Sequence, residues 1–222
     1  MSDRMMSTSM RSTEPLGPTS GDFTPVSVFI RVLRWMEHSL GAAFDTAEFA
    51  RLHGIVNYAT SKGSSVILDV HNYGNYYNTN RLGNVALPLG AFSNLWGRLA
   101  TIYRTNANVV FGLMNEPNGI STETWRDAAN LAITAIRRTG ATNLILVPGN
   151  GYSIAHNWYD SWYGTPNSSV MLTVTDAANN YAFEVHDYFD DQAGGVMCLL
   201  SRADGEGNCS LEMAQAAWTR GS

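Results

Sequence analysis

The sequence predicts an α/β fold of parallel strands wrapped by helices, of the (β/α)8 TIM-barrel type. Five short, β-rich apolar runs are centred on Ile30, Ile67, Val110, Ile145 and Phe183. They recur every 35 to 43 residues with helical patterns between them, which is typical of a repeated βα unit. Because the runs are continuously apolar, we expect strands that are buried on both faces.

The residues that follow the strands decide between an open doubly wound sheet and a closed barrel. A dinucleotide-binding sheet should carry a glycine fingerprint after an early strand, and the nearest approach, GNGYSI, lacks the third glycine and is interpreted as a turn. Four strands are instead followed by polar and aromatic stretches, namely RVLRWMEHS, HNYGNYYN, NEPNG and HDYFDD. Functional groups at the carboxyl ends of several strands are typical of the barrel, which we therefore favour.

Cap residues predict where the helices begin and end. One helical pattern begins after Asp45 and ends at Gly63, and another begins after Ser121 and ends at Gly140. A third amphipathic stretch, AFSNLWGRLATIYRTN, lies between them. The segment 148–180 is predicted to be mostly loop with a weak helical signal.

Composition limits the classes of function. The chain has 222 residues, of which 45% are hydrophobic and 15% are charged, so it can bury a sizeable core. Its net charge of −5 and its single lysine, Lys62, make a nucleic-acid partner improbable. Six Trp, ten Tyr and eight Phe with many Asn suit a cleft for neutral polar ligands such as sugars, although such residues are more often core and loop.

The ends of the chain differ from its middle in composition. Residues 1–25 have no periodicity and are predicted to be a flexible tail or a cloning remnant, which leaves 26–222 as the domain. No stretch is apolar enough for a membrane span or an export signal. Cys198 and Cys209 could form a disulfide in an extracellular protein, but their pairing stays open.

The NEP tripeptide places one carboxylate at the end of the most apolar strand. Pro117 disfavours the helical conformation for Glu116, so we expect Glu116 to be extended and to face the barrel mouth. The neighbouring amide of Asn115 can donate to a sugar hydroxyl without adding a charge. The alternative is that NEP is a simple turn.

Two other strand ends each place a carboxylate and a histidine on one face. Asp69 and His71 are two residues apart, as are Glu184 and His186, and Tyr188 continues the second series. We expect these groups to converge with Arg31, Asn115 and Glu116 on one cleft. Each histidine could instead be a hydrogen-bonded core residue.

A metal site is the competing functional interpretation of these side chains. Its ligands would come from Asp69, His71, His156 and His186. No HxH or HExxH motif occurs, so we expect no metal and no other cofactor.

Four stretches resemble the glycoside hydrolase family 5 endoglucanases, or cellulases. They are VILDVHNYGNYY, VVFGLMNEPN, LILVPGNGYSIAHNW and YAFEVHDYFDDQAGG, and the resemblance runs from about Val26 to Trp218. It implies an extracellular enzyme that hydrolyses β-1,4-glucan with retention of configuration, through two carboxyl groups.

The resemblance also implies roles for individual residues. Glu116 corresponds to the general acid/base, Asn115 to the residue that binds the sugar 2-hydroxyl, and Arg31 to the arginine of the second barrel strand that orients the nucleophile. The remaining substrate-binding residues are His71, Asn72, Trp158, His186 and Tyr188. Trp158 resembles a platform on which a sugar ring stacks.

The nucleophile implied by the resemblance has no match in these residues. It is a glutamate that ends the seventh barrel strand, whereas AQAAWTRGS resembles the helix before that strand, so about strands 2 to 6 are expected. Glu206 is a weak substitute, because no β-rich run precedes it. We therefore expect this chain to be an endoglucanase of little or no activity as it stands. The alternatives are a catalytically silent glucan-binding fragment and, less favoured, a metal-dependent barrel hydrolase.

Overall fold

A computed structural model gives the fold of residues 37, 39–76 and 80–186, together with the backbone of 28–32. The predicted tail, Glu206 and both cysteines lie outside these described residues. In chain order the strands are β1 (Val28–Val32), β2 (Val66–Val70), β3 (Asn75–Tyr76), β4 (Asn80–Arg81), β5 (Val109–Gly112), β6 (Ile145–Pro148) and β7 (Tyr181–Glu184). The α-helices are α1 (Thr46–Ser61), α2 (Leu89–Tyr103), α3 (Thr122–Arg138) and α4 (Asn167–Val170).

The main sheet contains five parallel strands in the order β1-β2-β5-β6-β7. Each predicted strand centre lies inside one of them, so all five predicted strands are confirmed. Strands that are neighbours in the main sheet follow one another along the chain, and the order never reverses. A doubly wound sheet would reverse its order at a switch point, whereas a barrel adds one strand after another around a ring. β3 and β4 form a separate antiparallel pair.

The core is packed between this sheet and the helices α1, α2 and α3. Its largest fully buried side chains include Trp96 and Trp125, each of which carries an N–H group that must be satisfied. The Trp96 indole donates to the carbonyl of Leu113 at 3.2 Å, and that of Trp125 donates to the carbonyl of Pro148 at 2.7 Å. Both acceptors lie at strand exits, so these bonds hold the helices against the carboxyl ends of β5 and β6.

The helix ends follow the predicted caps. Asp45 accepts hydrogen bonds from Ala47 and Glu48 at 2.9 Å, and the Ser121 hydroxyl accepts one from Thr124 at 3.1 Å. The stretch predicted for α2 is shifted, because α2 begins after Pro88 and ends three residues earlier than predicted. Within the described part of the chain, every helix is too short or too polar to cross a membrane.

A buried arginine joins the end of α3 to the segment before β7. The Arg137 guanidinium binds both carboxylate oxygens of Asp176 at 2.8 Å and donates to the carbonyls of Ala141, Asn143 and Asn180 at 2.8 to 3.0 Å. The Arg137 side chain is 9% exposed and that of Asp176 is fully buried. Bidentate ion pairs that are shielded from solvent are stronger than exposed pairs. The pair Arg137–Asp176 therefore fixes the position at which β7 starts.

Replacing Arg137 by alanine should destabilise the fold. We expect the free energy of unfolding to fall by about 3 kcal/mol, because Asp176 loses its cationic partner while it stays buried. Urea unfolding followed by circular dichroism measures the loss. The control is Arg138→Ala, which removes an exposed arginine at the next position and should change stability by less than about 0.5 kcal/mol. Equal losses in the two variants would contradict this role.

Candidate active site

The carboxyl ends of β2 and β5 are joined directly. The backbone N–H of Asn115 donates to the carbonyl of Val70 at 3.0 Å, and the residue after Val70 is His71. The N–H of Tyr152, which follows β6, donates to the carbonyl of Pro117 at 3.1 Å. These bonds bring the ends of three strands together and place Asn115 and Glu116 between the other two.

The Glu116 carboxylate contacts the ring of His186, which follows β7. Glu116 Oε1 lies 2.8 Å from His186 Nδ1, and Glu184 Oε1 lies 2.9 Å from Nε2 of the same ring. Because an ionised carboxylate only accepts, both ring nitrogens donate and the ring is an imidazolium. All three side chains are partly exposed, so a ligand in the cleft can reach them.

The charge of His186 follows from a balance of two effects. Burial of the ring lowers the pKa of His186, but the hydrogen bonds and negative charges of Glu116 and Glu184 outweigh it and raise the pKa to about 9. The ring therefore remains cationic through neutral pH.

A second carboxylate–histidine pair lies at the end of β2. His71 Nδ1 is 2.8 Å from Asp69 Oδ2, and the His71 ring meets the Tyr73 ring edge-on at 5.5 Å. Burial raises the pKa of Asp69 above its ordinary value, the hydrogen bond from His71 opposes that change, and the charge of Glu184 adds to it. The charges of Glu184 and His186 are thus close enough to influence the protonation of Asp69.

The backbone of Glu116 differs from the prediction. Its φ is +47°, in the left-handed region, so the predicted extended conformation is wrong. Pro117 acts only on the local preference of Glu116, whereas tertiary contacts fix the two residues that follow it. Pro117 accepts from Tyr152, and the N–H of Asn118 donates to the carbonyl of Tyr73 at 3.4 Å. A strained residue held in this way is typical of a functional site.

Ser153 supports this site and was not predicted. Its hydroxyl donates to the carbonyl of Glu184 and accepts from the N–H of Gly149 at 2.8 Å, while its own carbonyl accepts from the N–H of His186 at 2.8 Å. Ser153 is fully buried, with φ of +57°. The turn predicted at GNGYSI is present, and its glycines were the signal that backbone passes close to other groups there.

The aromatic residues near the site fall into two groups. Trp158, the predicted platform, is half-buried, and its ring meets that of Phe183 edge-on at 5.8 Å. Tyr152 and Trp162 are instead 40% and 55% exposed, and their rings stack at 6.3 Å. This exposed pair was not predicted. Because Tyr152 is bound to Pro117, the pair lies beside the Glu116 loop.

The remaining predicted site residues are described to different extents. Asn115 is partly buried at the strand end, and Asn72 Oδ1 is buried without a hydrogen-bond partner among the described residues. For Arg31 the backbone alone is described, level with Asp69 on the neighbouring strand. Tyr188 lies outside the described residues, so its expected place in the cleft stays a prediction.

The geometry does not favour the metal interpretation of the histidines. Within the described ranges, no three His, Cys, Asp or Glu side chains are grouped so that they could hold an ion. Both ring nitrogens of His186 are engaged by carboxylates. A histidine ligand needs a free nitrogen lone pair, which the imidazolium of His186 lacks.

Comparison with known proteins identifies the family. The profile of cellulase, glycosyl hydrolase family 5, matches residues 23–215. The chain belongs to glycosyl hydrolase family 5. This confirms the resemblance found in the four sequence stretches, and the (β/α)8 barrel is the fold of this family.

The relatives of this family 5 chain are longer than it is. Endoglucanase 1 of Robillarda sp. (strain Y-20) is 36% identical over 194 residues, which cover 82% of this chain and 49% of that protein. An endo-β-1,4-glucanase structure from Xanthomonas axonopodis pv. citri is 39% identical with a TM-score of 0.72 and covers 77% of this chain and 54% of that one. The structure of XacCel5A in complex with cellopentaose is 40% identical, with the same TM-score, and covers 77% and 55%. The chain thus spans about half the length of the relatives it matches.

The raised pKa of His186 should make stability depend on pH. A group whose pKa rises from 6.5 to about 9 on folding stabilises the fold fully below pH 6.5 and loses this contribution as the pH rises through 9. Between these limits we expect the wild type to lose roughly 2 kcal/mol more of its free energy of unfolding than His186→Gln does.

Urea unfolding at a series of pH values measures this difference. The control is His53→Gln, which removes a histidine from α1, distant in sequence from the site, and should keep the wild-type pH dependence. A His186→Gln variant with an unchanged pH dependence would show that the ring is not held as a cation.

Proposed function

We propose that the protein acts as an endo-β-1,4-glucanase of the retaining type, with Glu116 as its general acid/base. The observation that carries the proposal is the position of Glu116, whose partly exposed carboxylate lies at a strand exit and is fixed by the His186 ring. The names of its relatives, endoglucanases of the same family, support the substrate class.

In this proposal Glu116 transfers a proton twice. The protonated carboxyl first donates to the glycosidic oxygen as the bond to the leaving sugar breaks, while a carboxylate nucleophile bonds to the anomeric carbon. The Glu116 carboxylate then accepts a proton from the water that hydrolyses the glycosyl intermediate. Asn115, beside it, can donate to a sugar hydroxyl.

Two described carboxylates near Glu116 do not suit the nucleophile role. Glu184 and Glu116 contact opposite nitrogens of the His186 ring, so the ring lies between the two carboxylates and leaves no room there for a substrate atom. Asp69 is buried and bound to His71. The proposal therefore assigns the nucleophile to neither of them.

The ligand we propose is a linear β-glucan. Stacked aromatic faces bind the apolar faces of sugar rings, and amides bind hydroxyl groups, so the exposed pair Tyr152–Trp162 and the amides of Asn72 and Asn115 suit a neutral oligosaccharide. The cellopentaose complex of XacCel5A supports this chemistry.

Since a glucan polymer cannot enter a cell, we also propose that the enzyme is exported. Fractionation of a producing culture tests this proposal.

A second candidate function is glucan binding without hydrolysis. It is favoured by the observation that, among the described residues, neither Glu184 nor Asp69 suits the nucleophile role. The cleft residues that we propose bind a sugar are described, whereas a nucleophile is not assigned among them.

Removing the acid/base should separate the two candidates. In a chain that hydrolyses a soluble β-glucan, we expect Glu116→Gln to lower the rate of hydrolysis by about 10²- to 10⁴-fold, because the leaving oxygen is no longer protonated. Released reducing ends measure the rate, and calorimetry with cellopentaose should show binding that is little changed.

The control for this variant is Glu123→Gln at the exposed start of α3. Wild-type turnover in Glu116→Gln would overturn the acid/base assignment. Binding of cellopentaose by a wild-type chain that does not hydrolyse it would establish the binding function instead.

Truncating either ring of the exposed aromatic pair should weaken glucan binding. Tyr152→Ala and Trp162→Ala should each raise the Kd for cellopentaose by about 10-fold, which corresponds to ~1.4 kcal/mol of lost stacking. Tyr159→Ala is the matched control, because Tyr159 is 78% exposed on the same loop but belongs to no stacked pair in the described structure. An unchanged Kd in both variants would place the glucan elsewhere.

A further inference from the structure

Two strand ends repeat one pattern, a carboxylate followed two residues later by a histidine. Side chains two apart on a strand share a face, so each carboxylate can reach the ring that follows it. Asp69 binds His71 at 2.8 Å, and Glu184 binds His186 at 2.9 Å. The rings differ in one respect, since the other nitrogen of His186 is bound by the proposed acid/base.

We propose that Glu184 is a positioning residue, which acts through His186 to fix the orientation and the protonation of Glu116. The proposal rests on the function proposed for Glu116. Glu184 contacts Nε2 of the ring, so it is linked to Glu116 through His186.

Hydrogen bonds hold the backbone around His186 in place. The His186 N–H donates to the carbonyl of Ser153 at 2.8 Å, and its carbonyl accepts from Ala155 at 3.0 Å. The Ser153 hydroxyl donates to the carbonyl of Glu184. With the backbone held, a flip of the ring would place carbon atoms against both carboxylates, so Glu184 locks the rotamer that presents Nδ1 to Glu116.

The charge of Glu184 matters as much as its position. Two carboxylates act directly on the His186 ring, Glu116 after β5 and Glu184 in β7, and Asp69 of β2, which is bound to His71, interacts with Glu184 and His186. The negative charge of Glu184 offsets the positive charge of the imidazolium. Glu116 therefore faces a strong donor whose cationic charge is largely cancelled.

Removing this charge should have two effects of known sign. The pKa of His186, raised to about 9 in the wild type, should fall by about 1 to 3 units, because one of two carboxylates that favour the cation is gone. The ionised form of Glu116 should be stabilised, because a nearby negative charge that repelled it is gone. Both titrations should therefore move to lower pH.

The experiment is an NMR titration of the full chain, with ¹⁵N-labelled histidine and ¹³C-labelled glutamate carboxyl groups. In Glu184→Gln the midpoints of His186 and Glu116 should both move to lower pH, and Glu184→Asp should restore part of each shift. Glu123→Gln, which removes a partly exposed glutamate from the first turn of α3, should leave both midpoints unchanged. Unchanged midpoints in folded Glu184→Gln would overturn the proposal.

Glucan hydrolysis supplies the second measurement and keeps the two proposals apart. Glu184→Gln should lower kcat with little change in KM and should move the high-pH limb of the rate profile to lower pH, with partial rescue in Glu184→Asp. A merely structural glutamate would lower stability without moving that limb. If the wild-type chain hydrolyses no glucan, the proposed function fails, while the NMR midpoints still decide whether Glu184 controls His186 and Glu116.

Discussion

The hydrogen-bonded ring of His186 is the constraint on which the rest of the site depends. It joins the end of β7 to the loop after β5, across the intervening strand β6. This contact requires that the strands be parallel, so that their carboxyl ends meet at one edge. It also requires two carboxylates, because a half-buried imidazolium is tolerated only when its charge and both N–H groups are matched.

Backbone strain is concentrated around this ring. Glu116, Tyr152 and Ser153 all have positive φ, a conformation that costs about 1 kcal/mol or more for residues with side chains. Each is held by bonds to another strand end, such as those from Tyr152 to Pro117 and from His186 to Ser153. The fold supplies the free energy that keeps these residues in place, so the cleft is organised before any ligand binds.

The sequence predicted the scaffold better than the details of the site. The five strands were found because their sequences are continuously apolar, although β2 is fully buried and β7 is only half-buried. The helices α1 and α3 were found because Asp45 and Ser121 are caps. The pair β3–β4 was missed because two residues a strand leave no periodicity. The extended form predicted for Glu116 was wrong, and the role of Ser153 went unseen, because both depend on contacts between segments distant in sequence. Patterns within one segment carry no information about such contacts.

The two carboxylate–histidine pairs differ in a way that explains why Glu116 sits beside one of them and not the other. His71 has one described carboxylate partner, the buried Asp69. A general acid/base needs a neighbour that positions its carboxyl group without favouring one protonation state strongly. A cation without a counter-charge would stabilise the ionised form of Glu116 too strongly. Apolar surroundings would stabilise its protonated form too strongly. An imidazolium already neutralised by Glu184 lies between these extremes. The Glu116 carboxylate, which follows the apolar strand β5, is therefore stabilised by the pair His186–Glu184. This pair comes from the end of β7, two positions away in the sheet.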